Sequence, residues 1–316
     1  MSGKNKATAF APASVGNVAV GFDMLGMALA DIGDRVTVSR STRPGVQIVD
    51  IQAEPGIDAS RVPIDWHENT AAIAADALWR EAGDGAGLSL AIVKGIPLKS
   101  GMGGSAASAV AGAVAANQLL AKPLSRAELL EFALIGEQVA SKSRHADNVA
   151  PSLFGGLVFC PTTLLPATLS IAMPDSLRCV LIHPDLEIST AESRRGLAAT
   201  VDMELWLQQQ ALAMGFVLGC LQGDVDLIGR NLRDVIIEPQ RAASIPCFAA
   251  VKSAALETGA LGCSISGSGP AMFALVVADR AHDVEQSMRQ ACESSGFTCR
   301  SWLSPVNAAG AFIEAA

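Results

Sequence analysis

Residues 99–108 read Lys-Ser-Gly-Met-Gly-Gly-Ser-Ala-Ala-Ser and set a glycine turn directly between a strand-like segment and a helix-like one. The alternation of Leu88, Leu90 and Ile92 predicts a strand, Gly95-Ile-Pro97 breaks it, and residues 106–120 have the alanine-rich composition of a buried helix. That placement makes an anion site. Unpaired N–H groups and the macrodipole at a helix N-terminus attract phosphate, and residues without side chains let the backbone close on its oxygens. Ser105 adds a hydroxyl able to hold phosphate or Mg²⁺. Standing alone, the same cluster is also an ordinary tight turn. It lacks the Gly-Lys-Ser/Thr ending of the P-loop, so it does not decide function unaided.

A second chemical group comes from helix periodicity. Ser125-Arg-Ala-Glu128 is a capping box that starts a helix near 126 and carries it to about 142. Leu130, Leu134 and Glu137 follow at i, i+4 and i+7, which sets the Glu137 carboxylate on the apolar face. A carboxylate there is costly unless it meets a cation or several donors. Glu137 therefore either pairs with an arginine or caps a loop, or it ligates Mg²⁺ beside the glycine turn.

The elements that must position these groups form two units. In the first, strands at 7–11 and 35–40 flank a glycine-bearing loop over 12–26, and Asn69-Thr70 stand before a helix over 71–81, where Asn69 suits an N-cap. A polar loop over 144–151 then precedes a strand over 153–159. The pattern changes near 168. Strands at 179–183, 263–265, 272–277 and 298–303 alternate with helices at 203–221, 248–258 and 283–293, an α+β arrangement with a mostly antiparallel sheet. Residues 266–270, Ser-Gly-Ser-Gly-Pro, form the turn between the middle two strands.

Composition excludes several classes. The chain has 316 residues, half of them apolar, and so has room for two domains with proper cores. Its net charge of −8, with no basic stripe, argues against nucleic acid as a partner. The most lipid-like segment, 110–120, is short and interrupted by Asn117, so no membrane helix is expected. The N-terminus lacks the apolar core of a signal peptide, which points to the cytoplasm. The seven cysteines have no metal-ligand spacing and read mainly as core thiols.

Three separated segments, in order, resemble the GHMP family of small-molecule kinases. Residues 12–26, Pro-Ala-Ser-Val-Gly-Asn-Val-Ala-Val-Gly-Phe-Asp-Met-Leu-Gly, resemble its first motif. Residues 97–108 resemble its phosphate loop and 265–270 its third motif, with Asp147-Asn148-Val-Ala-Pro151 between the second and third. The likeness extends over nearly the whole chain and is nearest to members that phosphorylate homoserine. It implies a two-domain α+β fold, with an N-terminal domain like domain 2 of ribosomal protein S5 (1–168) against a ferredoxin-like C-terminal domain (169–316), and the active site between them. It implies transfer of the ATP γ-phosphate to the side-chain hydroxyl of L-homoserine, on the route to threonine, with Mg²⁺ as cofactor, and it is compatible with a homodimer.

The resemblance also implies roles. Pro97, Lys99, Ser100, Gly101, Met102, Gly103, Gly104, Ser105 and Ala106 would surround the phosphates, Ser105 and Glu137 would hold Mg²⁺, and Asn69 and Thr70 would lie near adenine. Asn17, Asp23 and His145 would face the amino acid, with Asp23 on its ammonium. Thr190-Ala-Glu-Ser-Arg194 and Glu238-Pro-Gln-Arg241 match two further family segments, so Arg194 and Arg241 would clamp the carboxylate in the planar, two-pronged manner of guanidinium groups. Some relatives use an aspartate as base where this chain has Asn148; with Asp147 adjacent, the expectation is direct transfer without a strong base, Arg194 helping to aim the hydroxyl. Gly104 stands where a serine is common and Lys99 where a glycine is. Two rival readings remain: a GHMP kinase acting on mevalonate, a sugar or another hydroxy amino acid, and a non-catalytic ligand sensor on the same fold.

Overall fold

The structure is a computed structural model that describes residues 4–142 and 144–315. Its first half holds strands β1 (Lys6–Gly16), β2 (Leu25–Ser41), β3 (Val46–Ala53), β4 (Gly87–Lys94) and β5 (Leu157–Phe159), with helices α1 (Thr70–Ala82), α2 (Gly104–Asn117), α3 (Arg126–Ser141) and α4 (Val149–Phe154). The second half contributes β6 (Leu169–Ile171), β7 (Leu177–Pro184), α5 (Thr190–Arg195), α6 (Met203–Gln222), α7 (Val225–Asn231), α8 (Ile237–Arg241), α9 (Phe248–Glu257), β8 (Gly262–Ile265), β9 (Met272–Val277), α10 (Ala281–Ser294), β10 (Cys299–Pro305) and β11 (Phe312–Ile313).

The first sheet runs β11-β1-β2-β4-β3, with β5 and β6 joined as a hairpin to the early part of β2. Helices α1 and α2 pack on it, and α3 packs on these two helices. The composition of α2 makes this possible. Every residue from Ala106 to Asn117 is buried, and a side chain at Gly112 would run into the α1 backbone at Ala71. Small residues are what let two helices approach so closely.

The second sheet, β10-β7-β9-β8, is antiparallel throughout. With α9 and α10 it forms the chain order strand-helix-strand-strand-helix-strand, a ferredoxin-like split βαβ arrangement. Alternation along β7 explains its place in the core. Val180 and Ile182 face α9 and α10, while Cys179 and Leu181 face the core shared with the first half.

Two expectations change. The loop expected over 12–26 is much shorter, because β1 and β2 remain paired as far as Gly16 and Gly26. The expected strand over 153–159 begins as helix α4, since a proline in the first turn, here Pro151, costs no internal hydrogen bond, and Gly155 at φ 87° ends the helix. Residues 168 and 169 lie in the connection between β5 and β6, and β11 returns to the first sheet.

Candidate active site

The glycine turn lies at the N-terminus of α2, as the alternation of β4 requires. Gly101 and Gly103 adopt left-handed backbone conformations, at φ 76° and 68°. A Cβ on Gly103 would fall on Ser14 Oγ, and one on Gly101 would meet the backbone of residues 266 and 269. Lys99 is left-handed too, at φ 52°, although it is not glycine. Its ammonium lies 3.7 Å from Glu187, which also pairs with Arg61 at the mouth of the cavity.

Beneath the turn is a buried ion pair. Lys94 bonds Asp34 and donates to Gly104 O at 2.9 Å and Ser108 Oγ at 2.8 Å, while Asp34 also accepts from the Gly95 and Ile96 amides at 3.0 and 3.2 Å. This network ties the end of β4 to the first turn of α2. Sequence reasoning missed it, yet the signal was there. Lys94 continues the parity of Leu88, Leu90 and Ile92, and Asp34 that of Val36 and Val38, so both side chains point into the core.

Glu137 reaches the same cavity from α3. Its carboxyl end is buried, which raises its pKa to about 7 against the opposing effects of a Ser105 hydrogen bond and the nearby Lys94 charge. Burial has the same effect on Asp147, which is 5% exposed and also rises to about 7, with the Asp23 charge adding to the shift. Its carboxylate accepts from its own amide, from the Asn17 amide and, at 3.2 Å, from Asn148 Nδ2. Ser14 Oγ donates to Asn148 Oδ1 at 2.9 Å.

The first motif folds into a left-handed turn, with Asn17, Val18 and Ala19 at φ 68°, 43° and 57°. Such backbone is costly for residues other than glycine and persists where the surroundings dictate it. Here the third motif holds it: Asn17 Nδ2 donates to Gly267 O at 3.1 Å and Gly267 N to Gly16 O at 3.1 Å. The phosphate loop is fastened to the same segment, through Ala271 N to Ser100 O at 3.0 Å and Ser266 Oγ to Gly101 O at 2.8 Å. All three motifs thus meet at one place.

Asp23 leaves this turn and forms a two-pronged pair with Arg194 at 2.6 and 3.0 Å. His145 Nδ1 lies 3.6 Å from Asp23, and burial lowers the imidazole pKa despite that neighbour. Arg241 is 6% exposed and donates to Gly267 O at 2.7 Å. The ring of Phe22, a residue not singled out in the sequence, lies under both guanidinium groups, 5.3 Å from Arg194 and 5.2 Å from Arg241.

Asn69 and Thr70 border the cavity but are also structural. The Asn69 side-chain oxygen caps α1 and its nitrogen donates to Pro63 O at 2.9 Å, while Thr70 Oγ1 donates to Ser105 O at 3.0 Å. Asn17, Asp23, Asn69, Thr70, His145, Asp147, Asn148, Arg194 and Arg241 all line one cavity of about 520 Å³, together with Pro97, Lys99, Ser100, Gly101, Gly103, Gly104, Ser105 and Glu137. Met102 and Ala106 are instead buried behind the loop. A cavity with a helix N-terminus at one side and paired arginines and carboxylates at the other can hold a polyphosphate against a zwitterion.

Comparison with known proteins agrees. Residues 69–156 match the GHMP kinases N terminal domain, and 216–294 the GHMP kinases C terminal domain. The chain is 43% identical to homoserine kinase of Xylella fastidiosa over 97% of its own length and 94% of the relative's. It is 42% identical to that of Xanthomonas campestris over 99% and 95%. Among solved structures, homoserine kinase from Cytophaga hutchinsonii superposes with a TM-score of 0.94 at 39% identity, covering 98% of each chain. The chain belongs to the GHMP kinase family, and within it to the homoserine kinases.

Proposed function

We propose that the chain transfers the γ-phosphoryl group of ATP to the side-chain hydroxyl of L-homoserine, giving O-phospho-L-homoserine and ADP. The observation that carries this reading is the sharing of one cavity by the glycine turn and by the Asp23, Arg194 and Arg241 cluster. The amides of residues 101–106 cradle the phosphates at the N-terminus of α2. Asp23 takes the ammonium of the acceptor, Arg194 and Arg241 its carboxylate, and Asn17 and His145 complete the polar wall. Asn69 and Thr70 border the adenine end, Asn69 mainly as the cap that fixes α1.

Phosphoryl transfer needs alignment and charge neutralisation more than covalent help. Asp147 is engaged by two backbone amides and Asn148, and with its pKa raised to about 7 only about half of it is ionised at neutrality, so its part in this reading is to hold the turn. Asn148, held by Ser14, orients the hydroxyl, and the proton leaves with the transferred phosphate. The donors at Ser105 and Glu137 fit Mg²⁺. They are a hydroxyl and a buried carboxyl whose raised pKa a divalent cation would bring down, and no group of three or more His, Cys, Asp or Glu ligands exists among the described residues. An ion that takes most of its ligands from phosphate and water needs no more. Mg²⁺ there would neutralise charge on the β- and γ-phosphates.

The division into domains at 168/169, the cytoplasmic setting and a homodimer belong to the same proposal. Seven unpaired thiols suit a reducing compartment. The solvent face of α6 carries Met203, Leu207, Met214, Leu218 and Leu221, an uncharged stripe that a second copy would cover; sedimentation velocity tests it. For the activity, ADP release is measured with homoserine, threonine, mevalonate and galactose as acceptors. Turnover with homoserine well above the other three is expected, and silence with homoserine beside turnover of another acceptor overturns the assignment.

A further inference from the structure

We propose that Phe22 is a positioning residue that sets the two arginines of the acceptor clamp; the inference rests on the carboxylate-clamp reading above. Two guanidinium groups in one confined place repel each other, and burial, followed by the Arg194 charge, disfavours the charged form of Arg241. Something must hold both without using up the N–H edges that a substrate carboxylate needs. Asp23 cannot do so. It occupies the edge of Arg194 with a two-pronged contact, and it must turn to the incoming ammonium.

An aromatic face meets the requirement. It attracts a cation through its quadrupole, acts on the flat face of the guanidinium, and leaves the edge donors unspent. Phe22 lines the cavity with both guanidinium carbons about 5 Å from its ring centre, at 5.3 and 5.2 Å. Its neighbour Asp23 is fixed by a left-handed backbone at φ 58° and by its backbone N–H, which donates to Asn17 Oδ1 at 3.1 Å. The ring and the carboxylate therefore leave one rigid turn, and the ammonium and carboxylate sites stay in register. On binding, the zwitterion exchanges the internal pair: its ammonium replaces Arg194 on Asp23, and its carboxylate replaces Asp23 on Arg194. The ring keeps both arginines in place throughout the exchange.

The test compares wild type, Phe22→Leu and Phe22→Tyr, with homoserine and with 3-aminopropan-1-ol, which is homoserine without its carboxylate and is read as a substrate or by its Ki against homoserine. Phe22→Leu keeps apolar bulk but removes the π face. Its KM for homoserine is expected to rise roughly 5- to 30-fold, about 1–2 kcal/mol at 1.4 kcal/mol per decade, with kcat and the KM for ATP within about twofold. Its constant for aminopropanol should not move, and Phe22→Tyr should restore homoserine to within about threefold.

A Phe22→Leu effect of equal size on both acceptors, or on kcat or ATP, overturns the proposal by making Phe22 a general packing residue. Failure of Phe22→Tyr to rescue, in a variant with unchanged melting temperature, does the same. If Phe22→Leu does not fold, Phe22→Met takes its place with the same readouts. The clamp reading itself fails differently, when wild type handles aminopropanol as well as homoserine.

Discussion

Asp147→Asn separates a structural carboxyl from a catalytic base. Burial and the Asp23 charge lift the Asp147 pKa from an ordinary 3.8 to about 7, which corresponds to about 4 kcal/mol of disfavoured ionisation at ~1.4 kcal/mol per tenfold. The sign follows from proton linkage. Below about pH 4 the carboxyl is protonated in both folded and unfolded chains. Between 4 and 7 only the folded chain keeps the proton, so each step up in pH favours unfolding, and above about 7 the full advantage is lost. Asparagine does not titrate, and its oxygen still accepts from the two backbone amides. The melting temperature of metal-free wild type minus that of Asp147→Asn should therefore fall steadily from pH 4 to 7, by about 10 °C at about 2–4 °C per kcal/mol, and then level off. In the ADP-release assay Asp147→Asn should keep kcat within about tenfold, whereas loss of a general base costs ~10²–10⁴. A flat melting difference across this range refutes the buried protonated carboxyl. Collapse of kcat in Asp147→Asn but not in Asn148→Ala, with homoserine KM intact, refutes direct transfer.

Three further outcomes follow from the geometry. Gly103→Ala forces a side chain into left-handed backbone against Ser14 Oγ, so the KM for ATP should rise by about tenfold or more, with homoserine binding measured calorimetrically little changed. Asp34→Asn leaves Lys94 charged in the core, and chemical denaturation should show a loss of about 3–5 kcal/mol; Lys94→Met in the same chain should recover part of it. Chelation of divalent ions should abolish turnover, and Glu137→Gln should raise the Mg²⁺ concentration for half-maximal rate by about tenfold while circular dichroism stays unchanged.

Periodicity made most of the scaffold legible. The β4 alternation, the Ser125 capping box and the alanine run of α2 each have a local cause, and the structure contains each of them. The α4 segment was harder to read, because Val149–Phe154 is a helix of under two turns whose apolar residues fit either period. Strand β3 was missed since a bulge between Ile48 and Asp50 shifts its alternation by one residue, from Val46 and Ile48 to Ile51 and Ala53. The site residues Asp23, Arg194 and Arg241 came from the motif resemblance. Their convergence depends on long-range bonds such as Asn17 to Gly267, which no local pattern encodes. Phe22 went unnoticed because an aromatic ring next to a motif aspartate looks like packing until both arginines are seen above it.

Strand β11 has a consequence for assembly. Phe312 and Ile313 pair with Phe10 and Ala9, and Arg126 at the start of α3 donates to Ala311 O at 2.7 Å. The sheet beneath the nucleotide loop therefore stays open along one border until a segment some three hundred positions later arrives. A nascent chain must carry that raw edge through most of its synthesis, which makes folding slow to close and favours shielding by a chaperone. Trimming the chain before Ala311 should harm nucleotide binding at a distance, through a border that no ligand touches.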